Sequence, residues 1–126
     1  MDLGLKGKTA VLTGGASGLG LATATMAVSA GARVMMVDLN AEVGAAAATR
    51  LGPTARFMKA DVTSATDVQH VIDTVVREMG PLTGVVNAAG VAPAARVVGR
   101  EGPHDLEMFA RVIQINLIGT FNVIRL

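Results

Sequence analysis

Apolar and polar positions along this 126-residue chain alternate between two rhythms. Short β-branched and apolar runs over residues 8–13, 33–38, 55–60 and 83–88 read as buried strands. Between them, residues 18–30, 41–50 and 65–79 read as helices. The third helix has the cleanest spacing: Val68, Val71, Ile72, Val75, Val76 and Met79 share one face, and His70, Asp73, Thr74, Arg77 and Glu78 form the other. Gly31, Gly52-Pro53 and Gly80-Pro81 supply the helix stops, and Ser64 with Asp67 reads as an N-terminal cap. Residues 91–104 form a loop containing Pro and Gly. A long helix is predicted from Asp105 onward, with Phe109, Val112, Ile113, Thr120, Val123 and Ile124 on one stripe. Strands separated by helices of this length imply a parallel sheet joined by right-handed crossovers.

The first strand runs into Thr13-Gly14-Gly15-Ala16-Ser17-Gly18-Leu19-Gly20, which opens onto an Ala-rich helix. The second strand ends at Asp38. Strand, glycine turn, helix, strand and acid is the order a dinucleotide site needs. Glycines admit a pyrophosphate close to the backbone, and a helix N-terminus offers N–H donors and partial positive charge. The acid can accept hydrogen bonds from a ribose diol. No Lys-Ser or Lys-Thr follows the glycines, which excludes a nucleoside-triphosphate P-loop.

Composition narrows the partners. The 51% apolar content lies in short runs, none reaching the roughly 18 residues of a membrane span. Cysteine is absent, so there is no disulfide framework, thiolate nucleophile or Cys-ligated metal. His70 lies on a solvated face and His104 has no partner at metal-ligand spacing, so no metal site is expected. A net charge of +1 and three Phe as the only aromatics give no case for nucleic acid. The segment from Met1 to Lys6 lacks the features of a secretory signal, and a cytoplasmic or organelle-matrix location is expected.

Three more signals fall where strand C-termini cluster. Asp61 could accept from an adenine amino group, with Val62 as an apolar wall; equally, Asp61 could simply start the turn before the third helix. Small residues in Asn87-Ala88-Ala89-Gly90 would let a flat ligand lie on the backbone, or serve close helix–strand packing. Asn116 falls on the apolar stripe of the last helix and is expected to be a buried amide with hydrogen-bond partners, either backbone carbonyls or water.

Taken together, Thr13-Gly14-x-x-x-Gly18-x-Gly20, Asp61, Asn87-Ala88-Ala89-Gly90 and Asn116 resemble the ordered motif set of the short-chain dehydrogenase/reductase family. The run from Asn116 to Leu126 and the loop before it resemble its type-10 17β-hydroxysteroid/short-chain 3-hydroxyacyl-CoA dehydrogenase subgroup. The expected fold is a Rossmann-type doubly wound parallel α/β sheet, incomplete, with strand order 3-2-1-4. The resemblance implies an NAD(H)-dependent oxidoreductase acting on a secondary alcohol or ketone, with a small hydroxy or keto substrate. It also implies that Gly14, Ser17, Gly18, Leu19 and Gly20 form the pyrophosphate turn, with Ser17 and Leu19 in contact. Asp38 would meet the adenosine ribose, Asp61 and Val62 the adenine, and Asn87, Ala88 and Gly90 the nicotinamide ribose. Asn116 would be a proton-relay asparagine. Asp38 places negative charge where a 2′-phosphate would sit, so NAD is expected over NADP.

The family's Ser and Tyr-x-x-x-Lys set comes on the next strand and helix, which this chain does not contain. No Tyr occurs anywhere, and Lys6, Lys8 and Lys59 are expected far from the site. The chain is therefore read as the NAD-binding half of such an enzyme, residues 1–126, inactive alone. A non-catalytic dinucleotide-binding module is the alternative. An S-adenosylmethionine methyltransferase is disfavoured by the glycine spacing and the Asn-Ala-Ala-Gly run. The fourth strand should be an open edge, and a homo-oligomer through the 105–126 helix is expected.

Overall fold

The computed structural model describes residues 3–126; Met1 and Asp2, where the segment read for a secretory signal begins, lie outside the described residues. Strands β1 (Thr9–Thr13), β2 (Arg33–Asp38), β3 (Ala55–Lys59) and β4 (Gly84–Asn87) pair in parallel in the order β3-β2-β1-β4. Helices α1 (Gly18–Ser29), α2 (Ala41–Leu51) and α3 (Ala65–Met79) connect them. This is the expected Rossmann-like doubly wound sheet in partial form.

Parity along β2 shows how the layers form. Val34 and Met36 point to a cluster with Leu12 and the small residues Ala24, Ala47 and Ala48 of α1 and α2. Met35 and Val37 point the other way, to Val11 and to Val71, Val75 and Met79 of α3. A strand covered on both faces is a continuous apolar run, as Val34-Met35-Met36-Val37 is. β4 pairs only with β1, so Val85 and Val86 remain at an open edge.

Two short strands, β5 (Val98–Gly99) and β6 (Gly102–Pro103), make a small antiparallel ladder inside the predicted 91–104 loop. The last helix starts at Asp105 as expected, and Asp105 caps it. It is one continuous helix in three parts: α4 (Leu106–Ile113), a π-helical segment (Gln114–Gly119) and α5 (Thr120–Arg125). Its expected stripe is corrected. Val123 is buried, Val112 and Thr120 are half-buried, and Phe109, Ile113 and Ile124 are exposed. The apolar spacing correctly marks a helix, but among the described residues nothing covers most of that face. In α3, Thr74 is buried and Val76 is 52% exposed, the reverse of the expected pair. The two residues flank the stripe on opposite sides, so helical spacing alone does not decide between them. Among the described residues, no helix is long and apolar enough to cross a membrane.

The start of α3 is tied to the turn before it. Ser64 Oγ accepts the Asp67 N–H at 3.2 Å, and Asp67 Oδ2 accepts the Asp61 N–H at 3.0 Å. The Asp61 N–H, then the Ser64 hydroxyl, hold the Asp67 carboxyl below the usual carboxylate range, with His70 and Lys59 adding smaller attractions. A carboxyl with a depressed folded pKa stabilises the fold above its unfolded value of about 3.9 and loses that contribution as pH falls through the lower folded value. Ser64→Ala is expected to cost about 1 kcal/mol in urea unfolding, the usual worth of an N-cap. It should also raise the Asp67 titration midpoint, read by carboxyl-carbon NMR. An unchanged midpoint would refute this coupling.

Candidate functional site

Parallel register brings the sequence motifs to one sheet edge. Thr13 stands opposite Val37 on one side and Asn87 on the other, and Asp38 stands opposite Lys59. The residues that follow each strand therefore emerge side by side: the glycine turn after β1, Asp38 at the end of β2, Asp61-Val62 after β3 and Asn87-Ala88-Ala89-Gly90 at β4.

The glycine turn needs glycine for two different reasons. Gly14 has φ +65°, and a methyl group there would stand 2.7 Å from the Ala88 carbonyl and the Ala89 nitrogen. Thr13 pulls that neighbour in: its carbonyl accepts the Ala88 N–H at 3.2 Å and its Oγ1 accepts the Ala89 N–H at 3.2 Å. Gly14 and β4 thus touch backbone to backbone, which is what the small residues at 88–90 permit. Gly18 has φ +53° with nothing near the position of a methyl group. Its requirement is conformational, and the space above it is open.

The helix that begins there differs from the others. Asn40, Ser64 and Asp105 each cap a helix through the side chain, and α2, α3 and α4 each carry an acid in the first turn: Glu42, Asp67 and Glu107. At α1, Ser17 makes no side-chain cap bond and the first turn has no acid. The α1 N-terminus therefore keeps its N–H donors and partial positive charge unspent. Ser17, Gly18 and Leu19 are exposed around it, and Gly20 is buried against the Gly14 carbonyl.

Asp38 lies beside this turn and braces it. Its Oδ2 accepts the Ala16 N–H at 3.1 Å and its Oδ1 accepts the Asn40 N–H at 3.2 Å. Its backbone carbonyl accepts the Ala60 N–H at 3.2 Å. Arg33 is at the far end of β2, with Nη2 on the Gly7 carbonyl at 3.0 Å, so it offers no cation here. Lys59 corrects the expectation that all three lysines lie far away, because it is the register partner of Asp38. Its charge adds the smallest of the attractions that lower the Asp67 carboxyl.

Asp61 does start the turn, since its Oδ1 accepts both the N–H and the hydroxyl of Thr63, at 2.9 and 2.8 Å. Its other oxygen is without a partner among the described residues, so the turn role and an acceptor role are compatible. Val62 is buried with Val68 and Val123. Asn87 is half-buried, and its amide makes no hydrogen bond among the described residues.

Asn116 corrects one expectation and meets another. It is exposed, because the helix face it occupies is uncovered. Its amide nevertheless has backbone partners: Oδ1 accepts the Val91 N–H at 2.9 Å and Nδ2 donates to the Val91 carbonyl at 2.8 Å. A methyl group on Gly90 would stand 3.2 Å from Asn116 Oδ1, so the end of Asn-Ala-Ala-Gly is moulded onto this side chain. Sequence reasoning gave no role to Ala16, Asn40, Val91 or Asn122. The first and third act only through backbone groups, which leave no mark on residue choice.

The arrangement can seat an anion at the α1 N-terminus, accept a diol at Asp38, and lay flat groups along the edges after β3 and β4. The fold and this edge define the class: the chain belongs to the short chain dehydrogenase family, whose pattern matches residues 8–126. It is similar to the 3-hydroxyacyl-CoA dehydrogenase type-2 proteins of Bos taurus, at 47% identity over 124 residues, and of Homo sapiens, at 48% over 124 residues. Each alignment covers 97% of this chain and 48% of the relative. Momilactone A synthase of Oryza sativa subsp. japonica is 42% identical over 120 residues, with 93% of this chain and 42% of that protein covered. The chain spans about half the length of the curated relatives it matches.

The two reasons for glycine separate by experiment. Gly14→Ala should lose the roughly 1–2 kcal/mol of a left-handed non-glycine residue and more from the collision with β4. Gly18→Ala should lose only the conformational part. Equal urea midpoints for the two variants would contradict the close contact at Gly14.

Proposed function

We propose that this chain forms the NAD(H)-binding half of an oxidoreductase that acts on a secondary alcohol or ketone, of hydroxyacyl-CoA or hydroxysteroid type. One observation carries the reading: the uncapped α1 N-terminus lies beside Asp38, whose carboxylate reaches the turn at Ala16. The turn fits a dinucleotide, because the space over Gly18 is open and Ser17 Oγ has no partner among the described residues. Ser17, Leu19 and the first-turn N–H groups hold the pyrophosphate around Gly14, Gly18 and Gly20. Asp38 takes the adenosine ribose, Asp61 and Val62 the adenine, and Asn87, Ala88 and Gly90 the nicotinamide ribose. Bound nicotinamide supplies a hydride acceptor or donor. Asn116 acts as the proton-relay asparagine, its side-chain amide fixed on the Val91 backbone.

Asp38 sets the preference for NAD by repelling a 2′-phosphate, and Arg33, at the far end of β2, does not offset it. Calorimetry with NAD and NADP should show NAD bound more tightly, and Asp38→Ser should shift the ratio towards NADP by about tenfold, the order of one charge contact. The same variant should be less stable, since the Ala16 and Asn40 N–H groups lose their acceptor. An unchanged ratio in a folded variant would refute this role. Binding without turnover is the second reading, favoured by the absence of tyrosine in these 126 residues, because the alcohol proton then has no phenolic acceptor. Alcohol-dependent NADH formation by the pure chain would refute it.

A homo-oligomer contact on the last helix is part of the same proposal. Phe109, Ile113, Leu117, Phe121 and Ile124 are all exposed on it, Phe121 by 62%. Leaving such side chains in water forgoes about 1.5–3 kcal/mol each. Light scattering should report a multimer, and Phe109→Glu with Phe121→Glu a monomer. A wild-type monomer would overturn the contact.

A further inference from the structure

The turn between β3 and α3 is fastened at three successive residues by three different elements. Ala60 is tied to β2 through the Asp38 carbonyl, and Asp61 is tied to α3 through Asp67. Neither bond reaches Val62. Its carbonyl accepts from Asn122 Nδ2 at 2.8 Å, across a separation of 60 residues.

Asn122 is 5% exposed, and its orientation follows from its other neighbour. Arg125 donates Nε and Nη2 to Asn122 Oδ1 at 3.1 and 2.8 Å. A guanidinium has donors only, so the amide oxygen must face Arg125 and the NH2 must face Val62. Gly119, on the same helix, makes the approach possible: a methyl group there would stand 2.6 Å from Val62 Cγ2. Val123 then closes the buried cluster with Val62 and Val68, which Ala89 also touches. The helix that holds Val91 through Asn116 therefore also holds Val62 through Asn122.

We propose that Asn122, oriented by Arg125, is a positioning residue for the adenine end of the site: it fixes the Val62 wall and the turn that presents Asp61. The inference rests on the dinucleotide reading above and assigns residues outside the strand–helix turns a part in base selection. Asn122→Asp isolates this role, because it keeps the shape and the Arg125 pairing but turns a carboxylate oxygen towards the Val62 carbonyl. Arg125→Ala leaves Asn122 in place and frees its amide to rotate.

The test is calorimetry on the full chain with NAD and with its hypoxanthine analogue, which lacks the adenine amino group but keeps the pyrophosphate and both riboses. The wild type should prefer NAD. Asn122→Asp should weaken NAD about tenfold, the order of one buried hydrogen bond lost and its acceptor left unpaired. The analogue should weaken less, so the preference collapses; Arg125→Ala should move the ratio the same way by a smaller factor. A merely structural role would weaken both ligands equally. If Asn122→Asp does not fold, Arg125→Ala, whose residue is exposed, carries the test alone. A wild type that binds neither ligand, or binds both equally, overturns the adenine reading and this inference with it. A wild type that prefers NAD, with folded variants that keep its ratio, overturns this inference only.

Discussion

Asp38 is the joint on which the candidate site depends. Three chain segments meet at it: the glycine turn through the Ala16 N–H, the start of α2 through the Asn40 N–H, and the turn after β3 through the Ala60 N–H. The first two bonds use opposite carboxylate oxygens, so the group is held from both sides. A carboxylate has about four lone-pair directions, so two remain for further donors, as the proposed ribose contact needs. The residue that would recognise the ligand is thus also the residue that shapes the turn, and preorganisation and recognition cannot be mutated apart at this position.

The register explains why a single residue can do this. Parallel pairing with Thr13 opposite both Val37 and Asn87 places all four strand ends in one row. Each following turn then begins within hydrogen-bonding reach of its neighbour. The Thr13 carbonyl meets the Ala88 N–H and the Asp38 carbonyl meets the Ala60 N–H backbone to backbone, and the Thr13 hydroxyl and Asp38 carboxylate add to these links. The larger residues of β1 and β2 are buried on both faces and resist any slip of this register, since a one-residue shift would exchange the two cores.

Much of this was legible in the sequence because strands, helices and glycine turns leave strong local marks. The order of the elements, the cap at Ser64, the start of the last helix at Asp105 and the position of Asp38 follow from spacing and residue type. What was illegible depends on neighbours. The stripe on the last helix announces an apolar face but not whether anything covers it, so Phe109, Ile113 and Ile124 are exposed where burial was expected. The π-helical segment leaves no periodic trace over six residues. Asn116 was rightly singled out as a polar residue on an apolar stripe, but its partner is a backbone segment that only the fold brings near. Asn122 carried no sequence signal because its partner, the Val62 carbonyl, is a backbone group 60 residues away. Its burial comes from Gly119 letting the helix sink onto Val62.

The caps show where stability has been left aside. Three helices begin with a side-chain acceptor and an acid in the first turn, a combination worth about 1 kcal/mol or more at each start. The fourth begins at Ser17, a residue fully able to cap, yet its backbone at φ −154° and ψ 173° leads directly into the left-handed Gly18 and the hydroxyl makes no cap bond. Local helix energetics would favour closing that bond. Leaving it open keeps the first-turn N–H groups and the hydroxyl available together at the sheet edge, where α2 and α3 also begin but with their first turns already capped. A bound anion would supply the capping interactions that Ser17 does not make, so the first turn of α1 would gain from the ligand. Binding and local order at this helix are then two aspects of one equilibrium. The bracing from Asp38 keeps the turn in place while that end is open.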